Sequence, residues 1–147
     1  MANPTPVPPS FTRSRVGRIL LVDDYDDARA NVREALEHAG HDVFEAVNGQ
    51  QALNYLVSRQ AQPVGLIILD LQMPVMDGWR LIELLHCYVK LAAIPVIVVT
   101  AAQNPQLERV PRQAVFGCIH GPYELKTLLA MVDSCLAQTG TSARSKP

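Results

Sequence analysis

A chain of 147 residues, 48% apolar and 18% charged, is long enough for one globular domain with a single hydrophobic core. Its net charge of −1 excludes the broad basic surface that dominates direct binding to nucleic acid or to anionic membranes. The three cysteines, Cys87, Cys118 and Cys135, are widely spaced and form no C-x-x-C pair. They exclude a disulfide framework and a cysteine zinc site, and they predict a reducing, cytoplasmic setting.

The two ends of the sequence differ in character from its middle. Residues 1–16 are rich in proline and contain no apolar core of a signal peptide, so they predict a flexible leader. Residues 139–147 predict a second flexible tail. No apolar run approaches the ~20 residues of a membrane span, so we expect no membrane insertion. One domain is therefore predicted over residues 17–138.

Short apolar runs alternate with segments of helical periodicity between the two ends. Five runs predict strands: RILLVD (18–23), HDVFEAV (41–47), VGLIILD (64–70), IPVIVVT (94–100) and VFGCI (115–119). Several of them are apolar throughout, as the buried strands of a parallel sheet are. The alternation predicts an α/β fold with a doubly wound five-stranded parallel sheet and right-handed crossovers.

Capping residues and prolines predict where the intervening helices begin and end. Asp26 is predicted to cap the first helix and Gly40 to end it. Asn48 and Gln51 have the spacing of a capping box at the start of the second helix. The third helix is predicted over residues 79–90.

The last part of the pattern is interrupted by proline. A short fourth helix is predicted between Pro105, which suits a first helical turn, and Pro111, which ends it. Pro122 is predicted to open the final helix. With the common strand order 2-1-3-4-5 of flavodoxin-like sheets, a ligand would bind at the carboxyl ends of strands 1 and 3.

Acidic side chains are predicted to meet at that edge of the sheet. Strand 1 is followed by Asp23 and Asp24, strand 3 ends in Asp70 and strand 4 ends in Thr100. Like charges ~4 Å apart repel by roughly 4 kcal/mol at an effective dielectric near 20, so a shared cation is expected. An all-oxygen site of this kind suits Mg²⁺, and a carboxylate can accept a phosphoryl group. The pattern thus predicts a metal-assisted phosphoryl-transfer site.

Four segments carry a resemblance to a known family: ILLVDDYDDAR, LIILDLQMPVMDGW, IPVIVVTA and GPYEL. They resemble the signature segments of the receiver domain of bacterial two-component response regulators, over about residues 17 to 137. The resemblance implies that Asp70 accepts a phosphoryl group from a histidine kinase or phosphotransfer protein. It also implies that Asp24, Asp70 and the carbonyl of Gln72 hold Mg²⁺ directly, with Asp23 acting through water. Thr100 would move toward the phosphoryl group and start a conformational switch.

Two positions depart from the family pattern. Gly121 stands where receivers have a lysine that pairs with the phosphoryl group. The adjacent His120 is expected to point to the opposite side of the sheet, because side chains alternate along a strand. Cys118 stands where the family usually has an aromatic residue that moves with the switch threonine.

Several functions compete for this sequence. The leading hypothesis is a single-domain response regulator that signals by docking to an unknown downstream protein. The alternative is a pseudo-receiver, an interaction module that works without phosphorylation, which Gly121 favours. A nucleotide or flavin binder is disfavoured because residues 23–27 (DDYDD) would repel a phosphate. A phosphatase of the aspartyl-phosphate type is disfavoured because Gln72 replaces its second acid.

Overall fold

The computed structural model describes residues 18–58, 63–71, 73, 76–100 and 115–145, with side chains through residue 138. Five strands form one parallel sheet in the order β2-β1-β3-β4-β5, which confirms the predicted strand order. The predicted leader, Gln72 and the predicted helix between Pro105 and Pro111 lie outside these residues.

The elements alternate along the described chain. The strands are β1 (Ile19–Val22), β2 (Val43–Ala46), β3 (Leu66–Asp70), β4 (Val96–Thr100) and β5 (Gly117–His120). The helices are α1 (Asp26–His38), α2 (Gly49–Val57), α3 (Gly78–Leu85), α4 (Val89–Ala92) and α5 (Leu125–Ser145). No helix in these ranges is long and apolar enough to cross a membrane.

The sheet is covered on both faces because alternate side chains of each strand point to opposite sides. One face packs against α2 and α3 and contributes Leu20, Val22, Ile67, Leu69, Val96 and Val98 to a buried cluster. The other face packs against α1 and α5 and contributes Ile19, Leu21, Leu66, Ile68, Ile97 and Ile119 to a second cluster. The central strands are thereby held rigidly, and their carboxyl ends form the edge that carries the acidic residues.

The observed helix starts confirm one prediction and correct two others. Asn48 accepts a hydrogen bond from the backbone N–H of Gln51 at 2.8 Å, as the capping-box spacing predicted. Asp26 does not cap α1: Tyr25 occupies the N-cap position, and Asp26 is the first helical residue. Its carboxylate pairs instead with Arg29, one turn along the helix. The final helix begins at Leu125, after the turn that follows Pro122, and not at Pro122 itself.

Two helix ends also differ from the predictions. The segment predicted as one helix over residues 79–90 divides into α3 and α4, since residues 86–90 are exposed and no apolar face extends the helix past Leu85. The final turn of α3 tightens into a hydrogen bond from Cys87 N–H to the Leu84 carbonyl. The backbone of α5 remains helical through Ser145, within the segment predicted as a tail from residue 139.

Candidate functional site

Three carboxylates meet at the carboxyl edge of the sheet. Asp23 and Asp24 directly follow β1, and Asp70 ends β3, the neighbouring strand that pairs with it. One carboxylate oxygen from each of the three lies within 4.8 Å of the others. We call Asp23, Asp24 and Asp70 the acidic cluster. The structure thus brings together the three acids that the sequence predicted to meet.

The environment of the acidic cluster raises the pKa of Asp23 above its ordinary value. The main cause is burial, to which the negative charge of Asp24 adds. A hydrogen bond from the backbone N–H of Tyr25 at 2.9 Å and the charge of Arg29 act in the opposite direction. The contributions that raise the pKa of Asp23 are larger than those that lower it. Ionised acids in this cluster therefore carry an electrostatic cost that a cation would relieve.

The donor set fits a hard divalent cation. Asp23 and Asp70 are half-buried and Asp24 is exposed, so the cluster is open to solvent on one side. Carboxylate oxygens are the ligands that Mg²⁺ prefers, and Mg²⁺ commonly keeps several waters and phosphate oxygens as its remaining ligands. The chain therefore supplies both the charge and the open side that a magnesium–phosphate site requires.

Arg29 is a component of the site that the sequence did not indicate. Its guanidinium donates to the backbone carbonyl of Asp23, to the carboxylate of Asp26 and to the carboxylate of Glu45, each at 2.8 Å. The contact with Glu45 crosses from α1 to β2, so it depends on the tertiary fold. The only available signal was the spacing of Asp26 and Arg29, which suits an ion pair within one helical turn.

Tyr123 is the second residue near the cluster that the sequence did not single out. Its half-buried ring packs on the sheet face covered by α1 and α5. Burial raises the pKa of its hydroxyl, and the charges of Asp23 and Asp70 raise it further. The negative charges of both carboxylates therefore act on the phenol, whose hydroxyl stays protonated.

The two residues assigned to the conformational switch share one face of the sheet. Thr100 ends β4 and is only 4% exposed. Cys118 on β5 pairs with Val98, two residues before Thr100, and packs against the cluster covered by α2 and α3. A movement of the Thr100 side chain would therefore take place on the side of the sheet where Cys118 lies.

The register places His120 and Gly121 differently with respect to Asp70. His120 pairs with Thr100, whereas Asp70 pairs with Val99, so His120 and Asp70 hold positions on opposite faces of the sheet. Gly121 is the next residue and therefore holds a position on the opposite face from His120. Its N–H donates to the carbonyl of Thr100 at 2.7 Å. Gly121 therefore holds a position on the same face of the sheet as Asp70.

Gly78 fixes the backbone beside Asp70. Asp77 caps α3 by accepting a hydrogen bond from Arg80 N–H at 3.0 Å, and the Gly78 N–H donates to the Leu71 carbonyl at 2.9 Å. A Cβ atom on Gly78 would lie 2.7 Å from the Asp70 carbonyl oxygen and 2.7 Å from the Leu71 Cα. Only glycine permits this close approach, so the start of α3 at Asp77 and Gly78 also supports Asp70.

We expect Gly78→Ala to destabilise the protein by about 1–3 kcal/mol, the usual cost of forcing extra atoms into packed structure. The added Cβ atom would clash with backbone atoms of Asp70 and Leu71, and no change of side-chain rotamer can relieve such a clash. Urea unfolding of the variant and of the wild-type protein measures the effect. An unchanged midpoint for Gly78→Ala would show that the two backbone segments separate without cost.

Comparisons with known proteins agree with this geometry. Residues 19–133 match the family model of the response regulator receiver domain. Protein PilH of Pseudomonas aeruginosa is 31% identical over 124 residues, covering 83% of this chain and 99% of that protein. The gliding motility regulatory protein of Myxococcus xanthus is 38% identical over 109 residues, covering 74% of this chain but only 13% of that protein. The solved signal receiver domain of a signal transduction histidine kinase from Syntrophus aciditrophicus is similar with a TM-score of 0.74 at 30% identity, covering 83% of this chain and 91% of that one.

Proposed function

Because the chain belongs to the response regulator receiver domain family, we propose that it accepts a phosphoryl group on Asp70 from the phosphohistidine of a histidine kinase or phosphotransfer protein. The observation that carries the proposal is the acidic cluster at the carboxyl edge of the sheet. Asp70 is the member placed at the end of a central strand, with its backbone held by Gly78. It acts as a signalling residue, and the domain is not proposed to turn over a substrate of its own.

The transfer requires one bond to form and one to break. A carboxylate oxygen of Asp70 attacks the phosphorus atom, the P–N bond to the histidine breaks, and its electron pair returns to the imidazole nitrogen. Asp23, Asp24 and Asp70 are proposed to hold Mg²⁺, together with the backbone carbonyl of Gln72. When bound, this ion supplies positive charge that offsets the phosphoryl oxygens.

Thr100 and Cys118 are proposed to carry the signal away from Asp70. Thr100 would hydrogen-bond the phosphoryl oxygen, and Cys118 would replace the aromatic residue that usually follows the movement. Cysteine is smaller than that residue, so the change transmitted to the surface would differ from that in other receivers. The downstream partner is proposed to be another protein, which the switched surface would recognise without direct binding to nucleic acid.

We also propose a single-domain, cytoplasmic regulator. The match to PilH, which extends over 99% of that protein, supports the single-domain assignment. A pseudo-receiver that signals without phosphorylation is the second candidate, favoured by the glycine at position 121. The retained acids favour the phosphoacceptor, because a scaffold gains nothing from three carboxylates whose charges oppose one another.

Metal binding is the first test of the proposal. We expect millimolar Mg²⁺ to raise the melting temperature of the wild-type protein, since binding to the native state alone stabilises it. Asp24→Asn should raise the melting temperature of the metal-free protein, because it removes a charge that repels Asp23, and should abolish the response to Mg²⁺. Differential scanning calorimetry with and without Mg²⁺ measures both effects.

Asp27→Asn is the matched control for this test. Asp27 is also exposed and lies three residues further along, in the first turn of α1, outside the acidic cluster. It should leave the Mg²⁺ response as it is in the wild type. A wild-type melting curve indifferent to Mg²⁺, or equal losses in both variants, would contradict the assignment of the metal site.

A further inference from the structure

Arg29 binds three parts of the chain at once. Its Nε donates to Glu45 Oε1 on β2, its Nη1 donates to the Asp23 carbonyl and its Nη2 donates to Asp26 Oδ1, all at 2.8 Å. The Arg29 side chain is only 13% exposed, and its contact with the Asp23 carbonyl is partly buried, whereas its contacts with Asp26 and Glu45 lie at the surface. Arginine suits such a position because its planar guanidinium presents donors in fixed directions.

These contacts act directly on the turn that carries Asp23 and Asp24, two members of the acidic cluster. The turn from β1 to α1 is held on one side by Arg29 at the Asp23 carbonyl. It is held on the other side by the Tyr25 N–H, which donates to the Asp23 carboxylate at 2.9 Å. Both oxygen-bearing groups of Asp23 therefore have a defined hydrogen bond. The direction of the Asp23 side chain toward Asp70 follows from a turn whose backbone is fixed.

We propose that Arg29 is the positioning residue of the metal site: it holds the Asp23–Asp24 turn in its binding conformation before a cation arrives. The inference rests on the proposed function, since it assigns to Arg29 a role toward the metal held by the acidic cluster. Groups that orient metal ligands through hydrogen bonds commonly change metal affinity 10- to 100-fold when they are removed. Arg29 does not contact the metal in this proposal and acts only through Asp23.

Glu45 orients Arg29, and it also accepts from Arg33, which provides a matched control for Arg29. The Glu45 carboxylate accepts from Arg29 through Oε1 and from Arg33 through Oε2, the latter at 3.1 Å. Arg33 lies one helical turn further along α1, and its ion pair is with Glu45 alone among the pairs that the described residues form. Arg29 and Arg33 thus share charge, residue type, helix and acceptor. They differ because Arg29 also donates to the Asp23 carbonyl and to the Asp26 carboxylate.

The test compares Mg²⁺ binding to the full chain by isothermal titration calorimetry. We expect Arg29→Ala to weaken binding by about tenfold or more, and Arg33→Ala to leave the dissociation constant within about twofold of the wild-type value. Arg29→Lys keeps the positive charge but offers one amine in place of the planar fork. It should therefore weaken binding to an intermediate degree. A purely structural effect predicts similar losses for Arg29→Ala and Arg33→Ala, whereas the removal of positive charge alone predicts tighter Mg²⁺ binding in both variants.

A second readout needs no metal. In the metal-free protein, the Tyr25 amide should exchange with solvent faster in Arg29→Ala than in wild type or Arg33→Ala, because the turn that shelters it is released. Equal Mg²⁺ affinity in wild type and Arg29→Ala, or equal losses in the two alanine variants, would overturn the inference. If wild type itself binds no Mg²⁺, the proposed function fails. Unchanged protection of the Tyr25 amide in Arg29→Ala would then overturn the positioning role independently.

Discussion

Asp70→Asn should abolish phosphorylation of the protein while leaving it folded. Wild type incubated with Mg²⁺ and a small phosphodonor such as acetyl phosphate should gain the mass of a single phosphoryl group. The variant should gain none, because an amide oxygen is not a nucleophile comparable to a carboxylate. Asparagine keeps the size of the side chain and removes one of the repelling charges, so the loss should not come from unfolding. Intact mass spectrometry measures the adduct, and circular dichroism checks the fold.

Two further measurements separate a specific acceptor from general modification. The wild-type adduct should be removed by hydroxylamine, as acyl phosphates are. Asp133→Asn, which changes an exposed acid on α5 away from the cluster, should be phosphorylated as wild type is. Wild type that remains unmodified under conditions that modify an ordinary receiver would favour the pseudo-receiver. An adduct that persists in Asp70→Asn would place the acceptor elsewhere.

The fold and the acidic cluster could be predicted because their signals are local. Each central strand is a continuous apolar run, and acids follow two of these runs directly. Parallel strands with right-handed crossovers then leave few arrangements, and all of them bring strand ends to one edge. Neighbouring strands were enough to predict that Asp23, Asp24 and Asp70 meet. No side-chain detail was needed for that step.

The contacts that tune the site could not be predicted because they join distant parts of the chain. Asp26 was expected to cap α1, but its partner Arg29 is oriented by Glu45, which lies on β2, sixteen residues further along the chain than Arg29. The charge of Asp23 acts on Tyr123 because β5 returns the chain to the carboxyl edge of the sheet, where β1 also ends. Sequence patterns report which residues are buried or helical, whereas these contacts depend on the tertiary structure that results.

Gly121→Lys should enlarge the response of the protein to phosphorylation, and Gly121 is placed to accept the change. It lies two residues after Ile119 and therefore on the same face of the sheet as Ile119, Val99 and Asp70. The positive φ among the described glycines belongs to Gly40, at 98°, so a side chain at position 121 meets no left-handed strain. The hydrogen bond from its N–H to Thr100 is retained by lysine. The new ammonium can therefore be added without rebuilding the strand end.

The expected gain is bounded by the charge interaction. A lysine ~4 Å from the phosphoryl group contributes at most about 4 kcal/mol at an effective dielectric near 20, and less where water enters. A charge shifts a conformational equilibrium only as far as it favours one state over the other. In the resting state the same ammonium also faces the acidic cluster. The part of its attraction that is equal in the two states does not shift the equilibrium between them. The wild-type protein, which lacks this charge, should accordingly switch less fully than the lysine variant.

Amide exchange at β4 and β5, measured before and after addition of beryllofluoride as a stand-in for the phosphoryl group, tests this expectation. Gly121→Met is the matched control, because it adds a long side chain without a charge and should leave the response at the wild-type level. A full response in wild type that Gly121→Lys does not enlarge would mean that another group already acts on the phosphoryl oxygens. Tyr123 is then the first residue to remove, because the charges of Asp23 and Asp70 act on its hydroxyl, whereas His120 holds a position on the opposite face from Asp70. Loss of the response in Tyr123→Phe, with His120→Ala unaffected, would assign that contact to the phenol.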